Sequence, residues 1–213
     1  QLRQESSHWS TNLSFNKSIS YDFKMKKLLL FLFVLIITSC SKENYLYELV
    51  ERKGVSYLVN SQTPFNGRVV RYHTNGELQL EVNFVEGKRE SLKTYHPNSQ
   101  LESLGSYVNG KEEGLWKSFH ENGYLSDEGF YENGEKQGWW SEYHQYDGRL
   151  YEKVFYVKGE SDIWETYHSN GEVYERGRYE GISRSGLWVE FDEDGNKIHI
   201  YNWDTMEVVF DKR

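Results

Sequence analysis

The sequence predicts an all-β fold, an elongated twisted meander built from about six β-hairpin repeats. Three observations support this prediction. An aromatic pair recurs at a fixed period, Asn-Gly or Asp-Gly recurs between the pairs, and none of the 213 residues is alanine. Alanine is the best helix former, whereas the abundant residues here, 17 Tyr, 11 Phe and 7 Trp, favour strands. A fixed short period indicates a stacked array of repeats.

Aromatic residues define the repeat. Four tryptophans lie 24 residues apart, and each is followed three residues later by an aromatic residue; they are Trp116, Trp140, Trp164 and Trp188. Extending this grid towards the N-terminus gives six copies, whose aromatic positions are Tyr72, Tyr95, Phe119, Tyr143, Tyr167 and Phe191. A single hairpin of this length is marginally stable in water, so each copy must gain stability from its neighbours.

Two turns separate the strands of each copy. At the tip, residues 121–123 read Glu-Asn-Gly, and Asn-Gly predicts a type I′ turn because both central residues need a positive φ. The second copy has Pro-Asn-Ser at residues 97–99, so its tip lacks the glycine and is expected to be the least favourable. A second turn closes the copies at Gly87, Gly110, Gly134, Gly159 and Gly181.

Strand alternation assigns side chains to the two faces of the sheet. Trp116 and Phe119 are three positions apart, which places them on opposite faces. The same rule places Leu125 and Tyr131 together on one face. Glycines recur in the second strands, where a tryptophan ring could lie over bare backbone; they are Gly105, Gly129 and Gly177.

The tryptophan column has two interpretations. It is either a second packing layer or a semi-exposed aromatic stripe that binds a partner. Tryptophan is over-represented among the residues that dominate binding energy, which supports the second interpretation. In that case the partner-binding residues are Trp116, Trp140, Trp164 and Trp188.

The N-terminal region has the pattern of a targeting signal. Residues 25–40 read MKKLLLFLFVLIITSC, in which two lysines precede a ten-residue apolar run that is too short to span a bilayer. Residues 37–40, Ile-Thr-Ser-Cys, resemble the bacterial lipobox and predict lipidation of Cys40. The alternative is an ordinary signal or a short anchor with an incidental thiol. Cys40 is the only cysteine, which excludes a disulfide within the chain.

These features divide the chain into four segments. They are a non-native upstream extension (1–24), a lipoprotein signal peptide (25–40), a tether (41–53) and the repeat array with its end caps (54–213). Within the array, segments 55–59 and 206–210 are strand-like and are expected to cover the two ends. Ser41 follows the lipidated cysteine and permits outer-membrane delivery. The predicted location is therefore the bacterial cell envelope, with a lipid anchor, in the outer membrane if the cell is Gram-negative.

The charge of the chain restricts the class of partner. Its formal net charge is −8, and the part after residue 40 carries 20 basic and 31 acidic residues. Nucleic-acid binders carry basic stripes, and anionic lipid surfaces attract basic segments, so neither is an expected ligand. An acidic surface favours a basic protein partner.

Catalytic and metal chemistry have weak support in the sequence. Five histidines occupy one repeat position, namely His73, His96, His120, His144 and His168, with Asp192 in the sixth copy. Histidines of successive hairpins would lie roughly 9–10 Å apart, too far to share a zinc ion. We expect each ring to pack beside its turn and to bond to backbone. Phosphate-binding loops and nucleophile–base pairs are absent, so we predict no enzyme activity, no catalytic residue, no metal and no cofactor.

The repeat unit resembles the bacterial MORN-repeat variant. It reads G-x-W-x-x-[YF]-H-x-N-G-x-L followed by Y-x-N-G-[KE], and residues 114–136 are its clearest copy. The lead-in at residues 51–54, Tyr57 and residues 64–67 is also similar to the start of such arrays, several of which are labelled YwqK-type antitoxins. The resemblance covers about residues 51–204 and implies a β-hairpin scaffold.

Two functions follow as expectations. The first is a membrane-anchored repeat protein that binds another protein, as an antitoxin-like immunity protein or an envelope scaffold. The alternative is an envelope lipoprotein that binds glycans on its aromatic hairpin faces. Cell-wall-binding repeats also use aromatic hairpins, but at a period nearer 20 residues, which favours the first expectation.

Overall fold

The computed structural model describes residues 44–45 and 48–212. Cys40, the predicted signal peptide and the upstream extension lie outside the described residues and remain predictions. Among the described residues, no helix combines the length and the apolar character needed to cross a bilayer.

The described part of the chain is all-β, as predicted. Its strands are β1 (Asn44–Tyr45), β2 (Leu49–Arg52), β3 (Val55–Leu58), β4 (Gly67–Tyr72), β5 (Leu78–Val85), β6 (Lys88–Tyr95), β7 (Leu101–Val108), β8 (Lys111–Phe119), β9 (Leu125–Glu132), β10 (Glu135–Tyr143), β11 (Leu150–Val157), β12 (Glu160–Tyr167), β13 (Val173–Glu180), β14 (Ser183–Phe191), β15 (Lys197–Asn202) and β16 (Glu207–Asp211). Strands β4 to β16 form one antiparallel meander in chain order, and β1 pairs in parallel with β4. Strands β2 and β3 form a separate two-stranded sheet. The predicted hairpin array is confirmed.

The two turns of each repeat differ in type. In the second turn, between β9 and β10, Asn133 and Gly134 have φ values of 54° and 85°, the type I′ pattern. At the tip between β8 and β9, only Gly123 has a positive φ, and its N–H donates to the carbonyl of His120 at 2.8 Å. The tip is a type I turn followed by a left-handed glycine. The predicted type I′ tip is wrong because this loop is one residue longer than a type I′ turn.

The tip of the second repeat places a serine where the others have glycine. Ser99 has a φ of 67°, a left-handed conformation that costs a non-glycine residue about 1–2 kcal/mol. Its hydroxyl donates to the Glu77 carboxylate of the preceding tip at 2.6 Å. The missing glycine is therefore replaced by a strained residue with one compensating hydrogen bond.

A β-bulge changes which side chains share a face. Next to the tip, the register between β8 and β9 shifts by one residue, and Phe119 then pairs with Leu125. Leu125 therefore lies on the face of Phe119, whereas Tyr131 contacts Trp116 on the other face. The prediction that Leu125 and Tyr131 share a face is wrong, because one extra residue in β9 reverses the alternation beyond it.

At the N-terminal end of the sheet, β1 pairs with the edge strand β4, and the β2–β3 sheet packs against side chains of β4 and β5. Five buried side chains in and beside β4 and β5 form a core cluster: Phe65, Val69, Leu80, Val82 and Phe84. Leu49 of β2 and Leu58 of β3 pack against this cluster, and the Ser56 N–H donates to the Gly87 carbonyl at 2.8 Å. Segment 55–59 therefore acts as a cap. Because Leu49 takes part in this packing, the predicted tether (41–53) extends into the folded part of the chain.

The C-terminal end is different. The predicted cover at residues 206–210 corresponds to β16, which pairs with β15 and is exposed along its whole length. It is the last strand of the meander rather than a separate layer over it. Among the described strands, the C-terminal end of the sheet therefore has no counterpart of the β2–β3 cap.

Candidate functional site

The repeat tryptophans lie on one face of the sheet, which we call the Trp face. In three repeats a glycine lies directly below the ring, and a Cβ atom on it would come within 2.1–2.2 Å of the ring; the pairs are Gly105–Trp116, Gly129–Trp140 and Gly177–Trp188. The remaining ring, Trp164, is paired with Val154 on one neighbouring strand and Gly177 on the other. The prediction that tryptophans lie over bare backbone is confirmed for the three pairs.

Tyrosines separate the tryptophans and complete an aromatic layer. Tyr131 contacts Trp116 and Trp140 edge to face, with ring centroids 5.6 and 5.0 Å apart. Tyr179 contacts the next two tryptophans of the column at 4.9 and 5.2 Å. Each such pair contributes about 0.5–1.5 kcal/mol beyond the area that it buries. Since each of these tyrosines touches tryptophans of two repeats, the layer joins neighbouring repeats.

The four tryptophans differ in exposure. Trp140 and Trp188 are 6% and 4% exposed, and their indole N–H groups donate to main-chain carbonyls at 3.1 and 3.0 Å. Trp116 and Trp164 are half-buried, and their Nε1 atoms are buried without a hydrogen-bond partner among the described residues. This burial supports the packing-layer interpretation for Trp140 and Trp188. Trp116 and Trp164 are partly accessible to solvent. The partner-binding role of the tryptophan column stays a prediction.

Carboxylates form a row beside the aromatic layer on the same face. We call this set the acidic row; its members are Asp127, Glu142, Glu152, Glu175 and Glu190. Strand pairing places Glu142 directly opposite Asp127 on β9 and opposite Glu152 on β11. Like charges in such positions repel each other. The middle of the row therefore favours a nearby cation.

Side chains of the protein itself donate hydrogen bonds to some carboxylates of the acidic row. Arg184 donates two hydrogen bonds to Glu175, at 2.6 and 2.8 Å. The Tyr151 hydroxyl donates to Glu142 at 2.5 Å, and this bond, followed by burial, raises the pKa of Tyr151. Burial, followed by the charge of Glu142, raises the pKa of Glu152 to about 7. A cation placed beside Glu152 would favour its charged form and lower that pKa.

Sequence reasoning identified only part of the acidic row. Glu142 and Glu190 each follow a repeat tryptophan by two residues, so alternation along the first strands predicts them on the tryptophan face. The second-strand members were missed, although a signal for them exists. An acidic residue precedes the second-strand glycine by two positions at Asp127 and again at Glu175, and this spacing places it on the face of that glycine.

The recurring histidines join neighbouring tips. In four of them Nε2 lies 2.7–2.9 Å from a carbonyl oxygen one repeat later, so Nε2 carries the proton and donates; they are His73, His96, His120 and His168. His144 stacks on Tyr151 instead, and its tip loop is one residue longer. The predicted backbone-bonding role is confirmed for these four. No cluster of three or more His, Cys, Asp or Glu side chains in the described ranges could hold a metal ion.

A cleft of about 230 Å³ lies on the Trp face near its C-terminal end. Trp188, Tyr201 and Trp203 supply its aromatic lining, and Glu190 and His199 supply polar groups. His199 is only 9% exposed, and its Nδ1 atom has no hydrogen-bond partner within residues 48–212. The cleft therefore combines ring faces with buried polar groups.

Comparison with protein families confirms the repeat. The family described as MORN repeat variant matches residues 65–86, 91–109 and 112–133. These ranges span β4 to β9, the first three hairpins of the meander, so the resemblance is confirmed for three repeats. Among curated proteins, none matches this chain significantly.

Three solved structures show limited similarity. A crystal structure of TarM is 13% identical over 46% of this chain and 20% of its own, with a TM-score of 0.38. A mutant of S. aureus TarM in complex with Fondaparinux, alpha-GlcNAc-glycerol and UDP is 7% identical over 67% of this chain and 21% of its own, with a TM-score of 0.30. A crystal structure of accessory secretory protein 1,2 and 3 in Streptococcus pneumoniae is 14% identical over 54% of this chain and 19% of its own, with a TM-score of 0.24. The chain spans about a fifth of the length of each, and the function must be argued from its own residues.

Proposed function

We propose that this chain is a non-catalytic repeat scaffold that binds a basic protein on its Trp face. The observation that carries the proposal is the acidic row, which lies beside half-buried aromatic rings. Aromatic anchors within a polar surround are typical of protein-docking surfaces. The net charge of −8 adds a longer-range attraction towards a basic partner.

The partners of the titratable groups support a non-catalytic role. Four tip histidines donate to backbone carbonyls, and Glu175 is held by Arg184. Tyr167 donates to Glu165 at 2.5 Å on the opposite face of the sheet. These groups serve the packing of the array, whereas general acid–base catalysis needs a group positioned beside a reacting atom.

We place the protein in the bacterial cell envelope through a lipid anchor at Cys40. An envelope-facing immunity protein that neutralises an incoming toxin would combine this anchor with an antitoxin-like array. The alternative to an immunity protein is an envelope scaffold that binds a basic protein. Both forms use the acidic Trp face as the binding surface.

The test compares two variants that each replace two glutamates by glutamine, at pH 8, where Glu152 is charged in the parent. Purified chain carrying Cys40→Ser captures partners from an envelope extract, either with Glu142→Gln and Glu152→Gln in the acidic row or with Glu121→Gln and Glu193→Gln at exposed tips. We expect a basic protein that binds the parent and the tip variant and binds the row variant about tenfold more weakly. Equal capture by both variants would show that the acidic row is not the binding surface.

The C-terminal cleft supports glycan binding as a second candidate function. Ring faces beside buried polar groups suit a sugar ring, which has an apolar face and hydroxyl edges. Tyr201→Ala would remove one wall of the cleft and leave the central acidic row unchanged. Retention on immobilised cell-wall polysaccharide that depends on Tyr201 would favour this candidate, and equal weak retention of parent and variant would exclude it.

A further inference from the structure

One position in the first strand of each repeat lies over the aromatic layer. Strand pairing places it opposite an aromatic residue of the preceding strand and therefore on the Trp face. We call it the cover position; the pairs are Glu112 with Tyr107, Lys136 with Tyr131, Ser161 with Tyr156 and Arg184 with Tyr179. Its occupants differ in charge from one repeat to the next.

Two cover residues are cations that lie on aromatic rings. Lys136 Nζ is 4.1 Å from the centroid of the Trp140 ring and 5.0 Å from that of Tyr156. Arg184 Cζ is 3.9 Å from the centroid of the Trp188 ring. Both contacts have the geometry of cation–π interactions. They cover the two tryptophans that are almost fully buried.

The cover residue of the third repeat is an anion. Glu112 pairs with Tyr107, and the half-buried Trp116 contacts Tyr107 and Tyr131 with ring centroids 5.3 and 5.6 Å apart. The Glu112 Oε2 atom lies 3.5 Å from the point that a Cβ atom on Gly134 would occupy, in the turn that follows Tyr131. Burial and, after it, the Glu112 charge raise the pKa of both tyrosines. Arg89 interacts with the Tyr107 hydroxyl. No lysine or arginine of the described residues lies over the Trp116 ring.

We propose that Tyr107, Glu112, Trp116 and Tyr131 form a cage for a lysine or arginine side chain of a protein partner. Three rings supply cation–π attraction, and the carboxylate supplies an ion pair. The same ring arrangement already holds Lys136 one repeat later, which shows that its geometry accepts an ammonium group. This inference rests on the proposed function, because a basic protein supplies such side chains.

Trp164 provides an internal comparison. Its cover residue, Ser161, is small and neutral, so the cover position supplies neither a cation nor a carboxylate to this ring. A cation at Trp164 would gain the ring attraction without the ion pair. We therefore expect the Trp116 cage to bind a single cation more tightly than Trp164 does.

The experiment follows indole N–H resonances by NMR while a single cation is added to the purified chain carrying Cys40→Ser. The probe is N-acetyl-lysine N-methylamide, and its norleucine analogue keeps the carbon chain without the charge. We expect a saturable shift of the Trp116 resonance with the lysine probe, smaller shifts at Trp164, and none with norleucine. Glu112→Gln should weaken binding about three- to fivefold, since one ion pair is lost.

Two exchanges of the natural cover residues complete the test. Glu112→Lys should fill the cage internally and abolish the Trp116 shift, and Lys136→Glu should give Trp140 a shift like that of Trp116. An unchanged Trp116 shift in both Glu112 variants, or an equal shift with norleucine, would overturn the cage. If the lysine probe instead shifts only the resonance of Trp140, which lies two residues from Glu142 in β10, the cage is wrong while the proposed function stands.

Discussion

At the scale of single residues, Gly129 sets how closely the aromatic layer approaches the backbone. Its φ is not in the left-handed region, so alanine would be free of backbone strain there. The obstacle is contact, because a Cβ atom would lie 2.2 Å from the Trp140 ring. That ring is held in turn by Tyr131 and Lys136. The glycine is therefore required by packing rather than by conformation.

We expect Gly129→Ala to destabilise the array by about 2–3 kcal/mol, because the Trp140 ring must move within a packed layer. Urea unfolding followed by tryptophan fluorescence measures this change. Ser106→Ala, at an exposed position of another second strand, is the control and should change stability by less than about 0.5 kcal/mol. Equal stability of the two variants would show that the ring moves aside freely.

The pKa of Glu152 makes stability depend on pH. Its folded-state pKa of about 7 lies above the unfolded value of 4.5, so the folded state holds this proton more tightly. The contribution to stability is complete below about pH 4.5 and is lost as the pH rises through 7. Glu152 is only partly buried, and solvent screening reduces the effect to the order of 1 kcal/mol.

We therefore expect Glu152→Gln to be more stable than the parent at pH 8 and no more stable at pH 4.5. Glutamine stays neutral and avoids the repulsion from Glu142. Thermal melts at the two pH values measure the difference, with Glu121→Gln at an exposed tip as the control. A gain that is the same at both pH values would contradict a titrating Glu152.

At the scale of the hairpin, the tips are linked by side-chain ladders. Tip asparagines donate from Nδ2 to a carbonyl of the next tip; they are Asn75, Asn98, Asn122 and Asn170. The fourth tip has Asp147, which cannot donate, and Arg149 donates to the Ser169 carbonyl instead at 3.1 Å. The recurring asparagine therefore serves stacking as well as the turn itself.

The second hairpin carries the strained Ser99, which leads to a prediction for this element. We expect Ser99→Gly to stabilise the array by about 1 kcal/mol, because glycine adopts a positive φ without strain. In the parent, amide hydrogen exchange should be faster across residues 89–110 than across residues 112–134. Equal protection of the two hairpins, or no gain from Ser99→Gly, would contradict a weak second repeat.

The fold was predictable from the sequence because the repeat period, the turn dipeptides and strand alternation all indicate hairpins. Alternation also placed Trp116 and Phe119 correctly, since no bulge separates them within β8. It failed for Leu125 and Tyr131 because a bulge in β9 leaves no mark in the residue pattern. Asn-Gly did not distinguish the two turns, because it suits both a two-residue and a three-residue loop.

The candidate binding face was only partly predictable, for a different physical reason. Sequence spacing assigns Trp140 and Trp164 to the same face but not to the same environment. Their exposure depends on what lies above and below each ring: Lys136 and Gly129 for Trp140, and Val154 for Trp164. Lys136 belongs to the strand of Trp140 itself, whereas Gly129 and Val154 belong to the strands that precede the two tryptophans, so the environment of a ring cannot be read from its own strand alone.

At the scale of the whole molecule, the proposed anchor at Cys40 would determine where the Trp face acts. We expect Cys40→Ser to release the protein from membranes and to abolish labelling with a fatty-acid analogue, because the proposed lipid would be attached to this thiol. Membrane fractionation and labelling of parent and variant measure both effects, with Lys42→Arg as a control that leaves residues 37–40 unchanged. Unchanged fractionation and labelling of Cys40→Ser would contradict the lipoprotein interpretation.

The opposite face of the sheet also carries exposed rings, which makes the choice of face testable. Trp139 is 40% exposed and Phe130 is 56% exposed. Trp139 adjoins Trp140 in β10 and therefore points the other way. The ion pairs on this face include Lys117 with Glu128, at 2.8 Å, and Arg176 with Glu165.

Hydroxyl-radical footprinting of the captured complex distinguishes the two faces, because it reports side chains rather than backbone. We expect a bound basic partner to protect Trp116 and Trp164 from oxidation and to leave Trp139 and Phe130 as reactive as in the free chain. Protection of Trp139 and Phe130, with Trp116 and Trp164 unchanged, would contradict this expectation and move the binding surface to the opposite face.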